Sequence, residues 1–171
     1  VLAPYWVVYD VTNDRVLAER RMNERVPMAS LTKMMTALLA VERLSMNDEI
    51  TIVKEDQVGE SSIWAEEDDV FTARTLLYGL LMRSGNDAAS ALARAVGGSP
   101  DEESEVARAT FTTMMNIRAF QLGMKDTQFS NPHGLDSEAH YSTAYDLMLL
   151  TREALKYPVL VDAFGSELWS G

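Results

Sequence analysis

Cysteine is absent from the 171 residues. That excludes a disulfide framework and thiolate chemistry, and it fits an exported protein. Positive charge is also short. The 15 Lys and Arg stand against 26 Asp and Glu, for a formal net charge of −11, so bulk charge gives no grip on nucleic acid or an anionic membrane. No apolar run approaches the roughly 18 residues of a membrane-spanning helix. No signal peptide is visible. The chain starts at Val1, without Met, almost directly before a strand-like segment, as a processed or trimmed product would. Internal repeats and low-complexity linkers are missing too, and the 47% hydrophobic content is that of a globular protein. A single domain over residues 1–171 is expected.

What is present is mostly helical. "YWVVYDV" (5–11) is aromatic and β-branched, "TNDR" (12–15) is turn chemistry and "VLAER" (16–20) is a return strand. A helix is expected over 30–45, a short strand over 49–56 and its distant partner over 69–72. Residues 73–98 read as one apolar helical stretch broken at Ser84, Gly85 and Asn86, with Gly97 and Gly98 as its stop. Residues 99–123 open on acids suited to a helix start. They carry an apolar stripe at Ala107, Phe111, Met114, Met115 and Leu122 and end at Gly123. "FSNPHGLD" (129–136) is a loop. The segment 141–158 is a helix, with Thr143 and Asp146 spaced as an N-cap and its reciprocal partner and Pro158 as the stop. The tail 159–171 takes no assignment. The strands are few, and a two-stranded sheet is marginal by itself.

Chemistry gathers at "PMASLTKMMTALLA" (27–40). Ser30 and Lys33 are three apart, hence on one helical face. A serine hydroxyl is a weak nucleophile until a base takes its proton. A lysine can be that base where apolar surroundings, here Met34, Met35, Leu38 and Leu39, disfavour its charge. Backbone N–H groups at a helix start could stabilise an oxyanion beside the serine. Taken alone, the pair reads more simply as an N-cap and a solvent-facing lysine. Ser84 and Asn86 interrupt the second apolar run. As chemistry they would put a hydroxyl and an amide into a cleft; taken alone they make an interhelical turn, with Asp87 an early-helix acid. His133 with Ser130 and Asp136 has the composition of a Ser-His-Asp triad, but triads assemble in space and not within seven residues. His133, His140 and Asp136 match no helix-borne metal pair, so a structural turn is the simpler account. No metal or cofactor is expected.

Together, "PMASLTKMMTALLA", "LLYGLLMRSGNDAASALA", "LGMKDTQFSNPHGLD" and "YSTAYDLMLLTREAL" follow one another in an order that resembles the serine-type D-alanyl-D-alanine carboxypeptidases, the low-molecular-mass penicillin-binding proteins. The resemblance runs from about Trp6 to about Pro158. It implies an α+β fold of the serine β-lactamase/DD-peptidase type, a helical cluster packed on an antiparallel sheet. It implies that Ser30 is acylated, that Lys33 is the general base, that Ser84 shuttles a proton to the leaving group and that Asn86 orients the substrate amide. The implied partners are peptidoglycan stem peptides ending in D-Ala-D-Ala, with β-lactams as covalent inhibitors. The implied location is outside the cytoplasmic membrane, with any anchor not in this chain.

One motif of that family is missing. None of Lys33, Lys54, Lys125 and Lys156 is followed by Thr-Gly or Ser-Gly. The 171 residues therefore resemble the N-terminal portion of a catalytic domain whose C-terminal strands lie elsewhere. Such a portion would be inactive alone and would expose an apolar face open to self-association or to a second chain. Two other functions stay open: a β-lactamase-like hydrolase, and a non-catalytic relative that binds peptidoglycan or a partner protein.

Overall fold

The computed structural model describes residues 2–59, 61–99 and 103–167. Strand β1 (Trp6–Asp10) pairs antiparallel with β2 (Arg15–Arg20), from Trp6 opposite Arg20 to Asp10 opposite Arg15, with a bulge between Val8 and Tyr9. The Asp10 carboxylate closes the turn by accepting the Thr12 and Asn13 N–H groups, each at 3.1 Å. Strands β3 (Glu49–Thr51) and β4 (Val70–Thr72) form a second antiparallel pair. The partnership expected between residues 49–56 and 69–72 is therefore present, but shorter. After Thr51 the chain turns into a 3₁₀ turn, Lys54–Asp56, because Asp56 points inward. Its fully buried carboxylate accepts the Arg94 guanidinium at 2.7 Å and the Val53 N–H at 3.1 Å. No third strand joins either pair among the described residues.

Helices supply the core. Helix α1 (Lys33–Arg43) is its axis, with Met35, Ala37, Leu38, Leu39 and Ala40 buried among residues of α2 (Ala73–Met82), α3 (Asn86–Gly97) and α5 (Ala144–Ala154). Helix α4 (Ser104–Leu122) buries Ala107, Phe111, Met115 and Ala119, while Met114 and Leu122 of the expected stripe are half-buried. The acids at 101 and 102 lie outside the described residues. Thr143 caps α5 by accepting the Asp146 N–H at 3.0 Å. Asp146 does not reciprocate. Its carboxylate takes the Asp126 N–H and the Thr127 hydroxyl instead, at 2.8 and 2.7 Å, tying α5 to the segment after α4. Helix α5 ends at Ala154, short of Pro158. Pro158 opens one further helix, α6 (Pro158–Gly165), where its missing N–H costs nothing. The tail thus contains a helix the sequence left unassigned, and residues 168–171 lie outside the described set.

The architecture is α+β, a helical cluster with two small two-stranded antiparallel sheets among the described residues. Its tightest joint is between α3 and α4. A Cβ on Gly97 would lie 2.1 Å from the Ala107 carbonyl oxygen and 2.8 Å from the Phe111 nitrogen. Both obstacles are backbone, so the helices would have to part. Gly97→Ala is expected to cost about 1–3 kcal/mol, measured as a lower urea midpoint with an unchanged m value.

Candidate active site

Residues Ala29–Thr32 form a 3₁₀ turn that runs into α1 at Lys33. Ser30 therefore precedes the α-helix expected to begin with it. The correction leaves the pairing intact, because side chains three apart eclipse in a 3₁₀ helix. Ser30 is exposed, whereas Lys33 is 3% exposed among the core residues of α1. Lys33 Nζ donates to Asn86 Oδ1 and to the His133 carbonyl oxygen, both at 2.7 Å, and lies 3.3 Å from Ser30 Oγ. Ser84 Oγ is 3.0 Å from Ser30 Oγ on the other side. The structure thus brings together all of Ser30, Lys33, Ser84 and Asn86.

Burial pushes the Lys33 ammonium down to about 8, partly opposed by the attraction of Asp87. The hydrogen bonds then dictate where a neutral amine would point. Asn86 Oδ1 and the His133 carbonyl can only accept, so they take the two remaining N–H groups. The lone pair is left facing Ser30 Oγ, the partner that can donate.

The break between α2 and α3 positions the other two groups. Ser84 adopts a left-handed conformation, φ 57°, and Gly85 caps α3. Asn86 is the first residue of α3 and is buried, with its N–H on the Ser61 carbonyl at 2.8 Å. Its side chain serves Lys33 and does not cap the helix. Asp87 is more than an early-helix acid. Buried beside Asn86, it accepts the Ser62 hydroxyl at 2.6 Å and the Ile63 N–H at 3.0 Å, pinning segment 61–65 over the break. Trp64 of that segment is exposed at φ 61°, with the Arg83 guanidinium 4.5 Å from its ring centre. Left-handed L-residues cost about 1 kcal/mol or more each, and three of them, Ala29, Trp64 and Ser84, belong to these segments.

The loop 129–136 contributes backbone. His133 supplies its carbonyl to Lys33, and Pro132 supplies its own to the Thr36 hydroxyl at 2.5 Å. Gly134, at φ 96°, packs against the turn carrying Ser30 so closely that a Cβ would lie 2.0 Å from the Ala29 carbonyl oxygen. The imidazole of His133 is held near 4 by burial, and next by the charge of Lys33, so it is neutral. Its Nδ1 accepts the Leu135 N–H at 3.3 Å. Ser130 Oγ meets Ser137 and His140, not His133, so no Ser-His-Asp triad forms. Among the described residues, no group of three or more His, Asp or Glu is placed to hold a metal ion. Sequence reasoning missed the His133 carbonyl, because any residue type could supply one. It also missed Phe164 of α6, which with Met28, Met34, Leu80 and Leu81 walls a cleft of about 500 Å³ around Ser30, Lys33 and Ser84.

Comparison with known proteins identifies the family. The family model described as D-alanyl-D-alanine carboxypeptidase, Peptidase S11, matches residues 1–165. The D-alanyl-D-alanine carboxypeptidase DacF of Bacillus subtilis is 36% identical over 166 residues, covering 94% of this chain and 41% of the relative. The D-alanyl-D-alanine carboxypeptidase DacB2 of Mycobacterium tuberculosis is 37% identical over 160 residues, covering 92% and 52%. The crystal structure of penicillin-binding protein 6B from Escherichia coli superposes with a TM-score of 0.88 at 31% identity, over 99% of this chain and 55% of that one. The chain thus spans about two-fifths to one half of the length of these two curated relatives. It belongs to the D-alanyl-D-alanine carboxypeptidase family.

The Asp87 anchor can be tested without any substrate. The Ser62 hydroxyl and the Ile63 N–H reach Oδ2 of Asp87, and the Ala88 N–H reaches Oδ1 at 2.8 Å. An amide cannot accept on both of its ends, so Asp87→Asn sets an NH2 against one of these donors. The expected loss is about 1–3 kcal/mol in urea unfolding. Removing the carboxylate charge that favours the ammonium should also bring Lys33 below about 8, read from the pH dependence of its reductive methylation.

Proposed function

We propose that this cleft is the acylation site of a serine carboxypeptidase acting on peptidoglycan stem peptides that end in D-Ala-D-Ala, outside the cytoplasmic membrane. The observation that carries the proposal is the hydrogen-bond set of Lys33, with two obligate acceptors at 2.7 Å and the Ser30 hydroxyl as its third neighbour. Neutral Lys33 takes the proton of Ser30 as Oγ attacks the penultimate carbonyl carbon. The Ser30 N–H, at the start of the 3₁₀ turn and without an intrahelical partner, is a donor for the oxyanion. As the tetrahedral adduct collapses, the C–N bond breaks. The proton held by Lys33 reaches the departing amine through Ser84, whose hydroxyl lies against Ser30. Water then hydrolyses the acyl-enzyme by the reverse proton path. Asn86 has two functions, directing Lys33 through Oδ1 and orienting the substrate amide. A β-lactam would acylate the same oxygen, its ring-opened amine staying tethered.

Val8, Val11, Leu17 and Leu31 are exposed around the two-stranded β1–β2 sheet. An apolar edge of this kind supports association with further strands, from the same polypeptide or a second chain. The Lys-Thr-Gly motif would come with such strands, and the 171 residues alone are proposed to acylate poorly or not at all.

Intact-mass spectrometry of the full-length gene product with benzylpenicillin tests the site. A single penicilloyl adduct mapping to Ser30, absent in Ser30→Ala, is expected; an adduct elsewhere, or none, would overturn the proposal. Lys33→Ala should slow acylation by about 10²–10⁴-fold. The pH profile has a fixed sign. The ammonium cannot accept a proton, so acylation should rise about tenfold per pH unit below about 8 and level off above it. A flat profile from pH 6 to 9 would exclude Lys33 as the base.

A further inference from the structure

His140 lies 1% exposed under the nucleophile turn, outside the groups assigned above. Its two ring nitrogens have different partners. The Ser130 backbone N–H reaches Nδ1 at 3.0 Å, and Thr32 Oγ1 is 2.7 Å from Nε2. An amide N–H can only donate, so Nδ1 is bare and the ring proton of a neutral imidazole is on Nε2. That N–H donates to Thr32 Oγ1. Thr32 is fully buried, and its hydroxyl has one proton, which it donates in a hydrogen bond to the Ala29 carbonyl oxygen at 2.8 Å. Every donor and acceptor along this path is used in one direction only.

The path ends on a strained peptide. Ala29 sits at φ 47°, a conformation that an L-residue keeps only where its surroundings over-determine it. The carbonyl it orients belongs to the Ala29–Ser30 peptide, whose N–H is the proposed oxyanion donor. Gly134 presses on the same peptide, and its loop also holds the His133 carbonyl that directs Lys33. Through Ser130, His140 is anchored in that same loop. One imidazole therefore ties the turn carrying Ser30 to the loop that aims Lys33. A protonated ring would set its Nδ1–H against the Ser130 N–H, leaving only the longer 3.3 Å contact to Ser130 Oγ on that side. Burial lowers the His140 pKa, against the opposing pull of Asp136, and neutral His133 adds no charge.

We infer that His140, as its Nε2–H tautomer, is a positioning residue for acylation that acts through Thr32 to hold the Ala29–Ser30 peptide in register with Lys33. The role rests on Ser30 being the nucleophile, as proposed above. The test uses the full-length gene product and benzylpenicillin, separating the initial dissociation constant from the first-order acylation constant. Thr32→Val keeps the shape of the side chain but cannot receive or pass a proton, and Thr32→Ser can do both. Thr32→Val should lower the acylation constant by about 10–100-fold with the dissociation constant unchanged, while keeping a cooperative thermal transition. Thr32→Ser should recover the rate to within about threefold. Nitrogen NMR of the unreacted protein should show His140 with a bare Nδ1. A Thr32→Val protein that acylates at the wild-type rate would overturn the inference. So would a Thr32→Ser protein as slow as Thr32→Val, since the methyl group and not the hydroxyl would then matter, and so would an Nδ1–H signal. If wild-type protein forms no Ser30 adduct, the proposed function itself falls and the positioning role goes with it. The bare Nδ1 would still be read independently.

Discussion

A cation buried in an apolar core must find acceptors, and most of the site follows from how Lys33 does so. An unpaired ammonium at that depth would cost several kcal/mol. Two oxygens from distant parts of the chain, Asn86 Oδ1 and the His133 carbonyl, approach it at 2.7 Å. Meeting that demand brings the α3 start and the 129–136 loop onto the first turn of α1. The same demand leaves the remaining direction of the amine facing Ser30. Stability and chemistry are therefore set by one contact.

Around this contact the backbone is held in conformations it would not choose. Ala29, which precedes Ser30, and Ser84 itself are left-handed L-residues. Each is held by contacts of the surrounding backbone and side chains. Ala29 lies between Gly134 and the Thr32 hydroxyl. Ser84 follows the end of α2 and precedes the buried Asn86–Asp87 pair, which is bonded to segment 61–65. The strain lies where the Ser30 and Ser84 hydroxyls must be presented at a fixed angle, and buried acceptors nearby supply the rigidity.

Much of the fold was legible beforehand. The β1–β2 hairpin, the β3–β4 pairing and the helices over α1 to α5 follow from periodicity, turn residues and the Ser-Gly-Asn break. The misplaced boundaries have identifiable causes. Strand β3 ends early because Asp56 turns inward to Arg94. Asp146 abandons a reciprocal cap for the backbone after α4. Pro158 begins a helix where a stop was expected, because the chain has already turned at Leu155–Tyr157. The first two are tertiary contacts overriding local pattern, and no window of ten residues contains them; the third is a local turn that ends α5 before the proline is reached.

By itself, the sequence determined which reactive groups could meet. Ser30 and Lys33 share a face in either helical form, and Ser84 and Asn86 stand at a break that ends one helix and opens the next. It also determined the family, through the order of its segments. Only the tertiary structure decided how those groups are arranged. Burial, which makes Lys33 a candidate base, belongs to the packed core and not to a residue. The carbonyls of His133 and Ala29 have no sequence identity, because every residue has one. The direction of the Lys33 lone pair and the tautomer of His140 follow from which partners can only donate or only accept, and those partners meet only in the folded chain.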